Sequence, residues 1–192
     1  PLVVFSTWST KLVVEMLGVR MGGETPVSEE EIRVLLHQGA RLGTIDKKEP
    51  EMIENVFSLN DLTASDTMTP RPQLVWIDLE DNIWEDINHS THFRLPVGNG
   101  SLDDFKGLAD MSEVLRDQHR NPGKSIKASI MDSVYRPLLI PETLILTKVL
   151  ALFKDRVVHE AVVIDEYGTL TGLVTLHDVL EEIVGDMPGD KE

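Results

Sequence analysis

GLADMSEVL at Gly107–Leu115 returns as GLVTLHDVL at Gly172–Leu180, 65 residues further on (172 minus 107). The copies share the glycine, the leucine after it, an acid six residues on (Glu113 and Asp178) and a closing Val-Leu. Self-similarity at a fixed spacing marks a duplicated structural unit. Each copy reads as a strand running into a helix. Phe105–Ala109 leads into a helix over Asp110–Leu115, and Leu170–Val174 leads into one over Thr175–Val184. Asp110 and Thr175 stand where an N-cap belongs.

Working outward, the two copies keep one order. Around the second, Arg136–Ile140 is extended and Thr143–Phe153 is helical through Leu144, Val149, Leu150 and Phe153. Ala161–Ile164 is a strong strand, and Glu166-Tyr167-Gly168 is a hairpin turn. Around the first, Leu74–Ile77 reads as a short strand, and Asn82–Asn88 as a helix with Ile83, Trp84 and Ile87 inward. Phe93–Val97 is extended, and Asn99-Gly100 signals a turn. Each unit is thus β-α-β-β-α, and the chain is α+β. A unit of about 60 residues buries too little surface to be stable alone. Two of them packed by their sheets remove that difficulty.

The chain divides into an N-terminal helical segment over 1–60, a first unit over 61–120 and a second over 125–186. Between the units, Asp117–Ser125 is polar and contains Asn121-Pro122-Gly123, a linker signal. In the N-terminal segment, Ser28-Glu29-Glu30-Glu31 is a capping box. Ile32, Leu35 and Leu36 come next at helical spacing, and Gly39 and Gly43 are read as ending that helix. Asp46–Glu49 repeats the capping pattern ahead of Met52, Ile53, Val56 and Phe57. This helical pair is expected to pack on the units C-terminal to it.

Composition excludes several classes. A net charge of −15 argues against nucleic-acid binding, which needs a surplus of Lys and Arg. It also disfavours anionic lipid. It suits cations, or an anion held together with a cation. Aromatics are only 5%, so the core must be aliphatic. The absence of cysteine removes disulfides and thiolate-bound zinc, and fits a cytoplasmic compartment. No stretch has the roughly 18 to 20 apolar residues of a membrane span. A start at Pro1, without a basic n-region, suggests a piece cut from a longer protein, or a trimmed terminus.

The candidate chemistry lies at the second copy. Thr175 and Asp178 sit where a strand ends and a helix begins, where free amides and the helix dipole favour a phosphate. A threonine hydroxyl can donate to a phosphate oxygen, and a carboxylate one turn on can accept ribose hydroxyls. Gly172 is read as letting the backbone approach the ligand. The same Thr-x-x-Asp pattern is also a plain helix cap, and a ligand can borrow a cap. The first copy departs: Asp110 replaces Thr175 and Glu113 replaces Asp178. A carboxylate repels phosphate, so one competent site is expected, with Asp110 as an N-cap. Arg94, aligned with His159, suits bidentate phosphate contact or a surface salt bridge. His159 reads as a strand-start residue. His89 and His92 lack a third ligand, and Asp103-Asp104 and Glu181-Glu182 read as solvated surface. No metal-ligand set, Ser-His-Asp set, P-loop or glycine-rich dinucleotide loop is visible, so the chain is read as a non-enzyme.

Four stretches carry a family resemblance. They are VSEEEIRVLLHQGARLGTIDKKEPEMIENVFSL at Val27–Leu59, DTMTPRP at Asp66–Pro72, FRLPV at Phe93–Val97 and HEAVVIDEYGTLTGLVTLHDVLEEIVGD at His159–Asp186. By these the chain resembles the tandem CBS-domain (Bateman) module of the CorC and cyclin-M-like, hemolysin-related family of membrane proteins. The resemblance covers nearly the whole chain, and its last stretch is the most specific.

The resemblance implies a CBS pair preceded by a helical segment, on the cytoplasmic face of the inner or plasma membrane. It implies a membrane domain upstream as partner, often a small C-terminal domain, and a link to magnesium or cobalt transport or resistance. It implies an adenine nucleotide (ATP, ADP or AMP) as regulatory ligand, with any Mg²⁺ held through the phosphates, and a homodimer arranged as a disc. It places Arg94 against the polyphosphate and Thr69 as a further polar contact, where Thr69 by itself reads equally as a turn or cap ahead of Pro70. Leu95, Pro96, Ile140 and Leu173 would supply backbone or apolar contacts around the base, beside Thr175 and Asp178, although each of the four, read alone, is a core residue. The other reading is a ligand-free CBS dimerisation scaffold in which Thr175 is only a cap.

Overall fold

The structure, a computed structural model, describes residues 27–46, 48–81, 83 and 92–185. The helix expected over 82–88 (apart from Ile83), His89 and Asp186 lie outside these residues. The chain divides into a unit over residues 1–50 and a larger one over 51–192.

In the smaller unit, α1 (Glu29–Arg41) starts at the expected capping box. The Ser28 hydroxyl accepts from Glu31 N–H, and the Glu31 carboxylate accepts from Ser28 N–H. Gly39 does not end the helix but lies inside it. The chain leaves at Leu42, and Gly43 takes a φ of 72°, which favours glycine. None of the residues of α1 is buried.

The larger unit begins within α2 (Glu49–Ser58). Here the Asn55 side-chain amide donates to the Ile183 carbonyl at 3.1 Å, and Leu59 is buried. A short helix, α3 (Ala64–Thr67), leads into β1 (Thr69–Pro70). The first copy then supplies β2 (Ile77–Asp78), β3 (Arg94–Gly98), β4 (Gly107–Asp110) and α4 (Met111–Arg120). Next come α5 (Ile126–Ser133) and β5 (Val134–Tyr135). The second copy supplies β6 (Leu138–Pro141), α6 (Leu146–Arg156), β7 (Glu160–Ile164), β8 (Leu170–Thr175) and α7 (Leu176–Val184).

Only Ile77 of the strand expected over 74–77 is in a strand. Arg71–Gln73 form a 3₁₀ turn, and Leu74 and Trp76 pack between the sheets instead. Of the polar stretch expected as a linker over Asp117–Ser125, the first four residues are helical and Asn121–Ser125 form the connection. α4 runs on to Arg120, and α5 begins at Ile126.

Among the described residues there are two four-stranded sheets, ordered β2-β3-β4-β5 and β1-β8-β7-β6. β2/β3 and β6/β7 pair parallel, and the remaining neighbours pair antiparallel. The edge strands are exchanged. β1 precedes the first copy yet pairs with β8 of the second. β5 lies at the same repeat offset from β1 and pairs with β4 of the first. By packing, α5 and β5 therefore belong with the first sheet, and residues 59–70 with the second.

The exchange explains the repeat glycines. A Cβ at Gly172 would lie 2.5 Å from Met68 Sδ and 2.6 Å from the Thr69 carbonyl oxygen. A Cβ at Gly107 would lie 2.4 Å from the Tyr135 carbonyl oxygen. Each glycine makes room for the incoming edge strand. The reading of Gly172 as an opening toward a ligand is thereby corrected: the space beside it holds β1.

Aliphatic residues fill the core, as the low aromatic content requires. One cluster on the helix side of the second sheet contains Leu146, Val149, Val163, Val174 and Val179. Another, under the first sheet, contains Ile77, Val97, Val114 and Ile130. A third, with Leu102, Leu108, Val162 and Leu170, joins the two sheets. Each such aliphatic contributes about 1.5–3 kcal/mol when fully buried.

A polar staple ties α4 to α5. The Asp117 carboxylate accepts from Lys124, from the Ser129 hydroxyl at 2.6 Å and from the Asn121 amide at 2.8 Å. These partners, Lys124 foremost, hold its carboxyl down at about 2, from 3.8. A carboxylate depressed on folding contributes stability above its unfolded value, and loses it as pH falls toward the folded one. Asp117→Asn should therefore lower the melting temperature at neutral pH, and the gap to wild type should close between about pH 4 and about pH 2. Thermal melts followed by circular dichroism test this. A gap that stays constant across that range counts against the staple.

Candidate functional site

The β8–α7 junction is built as the repeat suggests. Thr175 is the N-cap of α7. Its hydroxyl oxygen accepts from Asp178 N–H at 3.2 Å, and its own N–H donates to Asp178 Oδ2 at 2.7 Å. The junction of the first copy is capped by Asp110, whose carboxylate accepts from Ser112 N–H at 2.8 Å. Asp110 is thus the N-cap expected of it.

The first amides of α7 are less available than expected. Leu176 N–H donates to the His159 carbonyl at 2.7 Å, and Asp178 N–H is taken by Thr175. The equivalent Met111 N–H in the first copy donates to the Phe93 carbonyl at 2.7 Å. A phosphate here would draw on side chains more than on the helix end.

A cleft of about 700 Å³ opens beside this junction. Thr69, Arg94, Leu95, Pro96, Leu173, Thr175 and Asp178 all line it. Of the eight expected positions only Ile140 is elsewhere. It is 1% exposed, pairs with Val163 and packs in the core under the second sheet. The run LLIP at 138–141 is apolar on both faces, so alternation could not show which face Ile140 takes. The remaining wall includes Leu74, His92, Leu108, Asp110, His159 and Glu160.

The cleft joins the two copies through one cation. Arg94 Nη1 donates to Glu160 Oε2 at 2.7 Å, and Arg94 Nε lies 3.7 Å from Asp110 Oδ2. Tyr135 O–H donates to Glu160 Oε1 at 2.7 Å. The hydrogen bond to Glu160 holds the guanidinium above its ordinary range. Burial, aided by the same carboxylate, pushes the Tyr135 phenol up. Burial also pushes the Asp178 carboxyl up, against the lowering effect of its bonds to Thr175. Glu160 was missed from sequence. The repeat did hold a signal, because its counterpart is Leu95, an aliphatic strand residue.

A second feature was missed. His177, Asp178 and Glu181 bring donor atoms within 4.8 Å of one another on α7. The i, i+4 spacing of His177 and Glu181 was the sequence signal.

No described helix is long and apolar enough to cross a membrane. The CBS-domain family model matches residues 126–185. The UPF0053 protein sll0260 of Synechocystis is 38% identical over all of this chain and 43% of its own length. The polyamine export protein of Escherichia coli K12 is 29% identical over 98% of this chain and 42% of its own. The chain therefore spans about two fifths of the length of these curated relatives. Among solved structures, the CBS domain of a bacterial CNNM/CorC family Mg²⁺ transporter superposes with a TM-score of 0.74 at 33% identity, covering 85% of this chain and 99% of that one. The same domain in complex with ATP superposes at 0.63 and 33% identity, covering 72% and 99%. A CBS-domain pair with bound AMP from Klebsiella pneumoniae superposes at 0.58 and 33% identity, covering 65% and 99%.

Proposed function

The chain belongs to the CBS-domain modules of the CNNM/CorC family, and from that membership we propose that its cleft binds an adenine nucleotide as a regulatory ligand. The observation that carries this is one cleft bringing Thr175 and Asp178 from the second copy beside Arg94 from the first. Two solved relatives, one with ATP and one with AMP, support it. The chemistry fits. Leu95, Pro96 and Leu173 give apolar walls for a base. Asp178 has a carboxylate that can accept ribose hydroxyls, and Arg94 and the Thr175 hydroxyl can donate to phosphate. Thr69 adds a polar group at the rim. Mg²⁺ would enter with the phosphates, and its charge would offset both them and the acids around the cleft.

The module would act on its own membrane domain from the cytoplasmic face, in a protein that moves Mg²⁺ or Co²⁺, and as a homodimer. Ligand binding must then favour one arrangement of that assembly over another. A binding role rather than catalysis suits the cleft, where Arg94 is paired with Glu160 and the Thr175 and Asp178 side chains each accept from the other's backbone N–H.

Calorimetric titration of ATP and AMP, with and without Mg²⁺, tests the site. Wild type should bind, and Thr175→Ile and Asp178→Ala should each weaken binding about tenfold or more, the size of a lost charge-assisted contact. Absence of heat with every nucleotide overturns the proposal. It would leave the second reading, a ligand-free dimerisation scaffold. The mutual satisfaction of Thr175 and Asp178 and the closed Arg94–Glu160 pair favour that reading. Heat that survives both substitutions moves the site elsewhere.

A further inference from the structure

Glu160 stands on β7 where the first copy carries Leu95, which is 1% exposed. The glutamate side chain is only 13% exposed, so a charged group occupies a position that the duplicated unit fills with an aliphatic one. Burying a carboxylate is costly unless it is paired. Here the partners are Arg94 from the other sheet and Tyr135 from β5, each at 2.7 Å. Arg94 is the cation the nucleotide reading assigns to phosphate, and Glu160 lines the same cleft. Glu160 therefore already makes the charge-assisted bond that a phosphate would make. Asp110, 3.7 Å from Arg94 Nε, adds a second negative charge on the opposite wall.

Resting on that nucleotide reading, we propose that Glu160 is a specificity-determining residue, an internal competitor for Arg94 that grades ligands by their negative charge. A ligand phosphate must displace the carboxylate from Arg94 or settle beside it. Displacement forfeits the Arg94–Glu160 bond, and repulsion from the carboxylates left nearby grows with phosphate charge; an uncharged nucleoside meets neither cost. The preference of the cleft among phosphorylated ligands is then set by a residue that need not touch the base or the ribose.

The test is calorimetry with adenosine, AMP and ATP on wild type, Glu160→Gln and Tyr135→Phe, without Mg²⁺. Glu160→Gln should tighten ATP about tenfold, AMP by less, and leave adenosine within about twofold, one charged competitor being removed. Tyr135→Phe breaks a bond to the same carboxylate but leaves its charge, and should not tighten ATP. If Glu160→Gln melts out, Glu160→Leu, which restores the residue of the first copy, serves in its place and should show the same grading. Equal affinity changes for adenosine and ATP would reduce Glu160 to a structural residue and overturn the proposal, as would weaker or unchanged ATP binding. A wild type that binds none of the three overturns the nucleotide reading together with this one. Binding by wild type without the grading overturns this one alone.

Discussion

Gly107→Val is expected to destabilise the larger unit by about 3–5 kcal/mol, combining backbone strain with overpacking. Gly107 has a φ of 144°, a conformation that L side chains rarely adopt. Its missing Cβ leaves the room through which β5 passes. A side chain there would meet the Tyr135 carbonyl oxygen at 2.4 Å and Val134 Cγ1 at 2.7 Å. The obstacle is backbone, which cannot swing aside as a lysine tip could. The β4–β5 pairing of Leu108 with Tyr135 and Ala109 with Val134 would have to open. Gly123→Val is the control, because nothing lies within 4 Å of its Cβ position and its φ is not positive. It should change stability by no more than about 0.5 kcal/mol. Urea unfolding of both variants decides the matter, and equal midpoints would rule out the exchange as the reason for this glycine.

Leu108→Ala should cost about 3 kcal/mol, within the range for emptying a leucine site that cannot collapse. Leu108 is fully buried in the cluster that joins the two sheets, with Leu102, Val162 and Leu170. It also forms part of the cleft wall. A void there removes contacts that hold the sheets together, and strand pairing on either side resists closing it. The expected fall in melting temperature is roughly 6–12 °C for a chain of this size. Leu139→Ala, at a position 53% exposed, should change little. Similar melting temperatures for the two variants would mean that the sheets are not held by this cluster.

The order of elements was legible because the second copy announces its periods clearly. Ala161–Ile164 is a run of strand formers, Gly168 turns with a φ of 82°, and Thr175 and Asp178 cap the last helix. Local pattern failed where pairing is non-local. β1 and β5 are two residues each, and β1 contains Pro70, which is tolerable only because it lies at a sheet edge. Neither strand has enough residues to show alternation, so neither declared its partner. The missed helix α5 has a thin apolar face, chiefly Ile126 and Ile130, in a serine-containing stretch. Its anchor is the polar staple from Asp117, which hydrophobic periodicity does not register.

The cleft was legible by a different route. Periodicity located Thr175 and Asp178, while Arg94 was set against His159 by the repeat. Leu95, Pro96 and Leu173 came only through family resemblance, and so did Ile140, which the structure puts in the core. The repeat marked Glu160 as unlike Leu95, but its pairing with Arg94 required knowing that β3 and β7 face one another across the cleft, a fact of packing that no single strand carries.

The exchange of edge strands also bears on how such a chain could have arisen. A lone ancestral repeat with this topology would lack the strand that completes its sheet, since β1 and β5 each serve the other copy. Its simplest way to a full sheet is to borrow that strand from an identical neighbour, a reciprocal swap between two molecules. Gene duplication and fusion would then have turned an obligate partnership into a single polypeptide, with the space beside Gly107 and Gly172 as its surviving mark. Once joined, the halves were free to diverge. A leucine at 95 and a glutamate at the equivalent position 160 are a difference that two identical subunits could not have held.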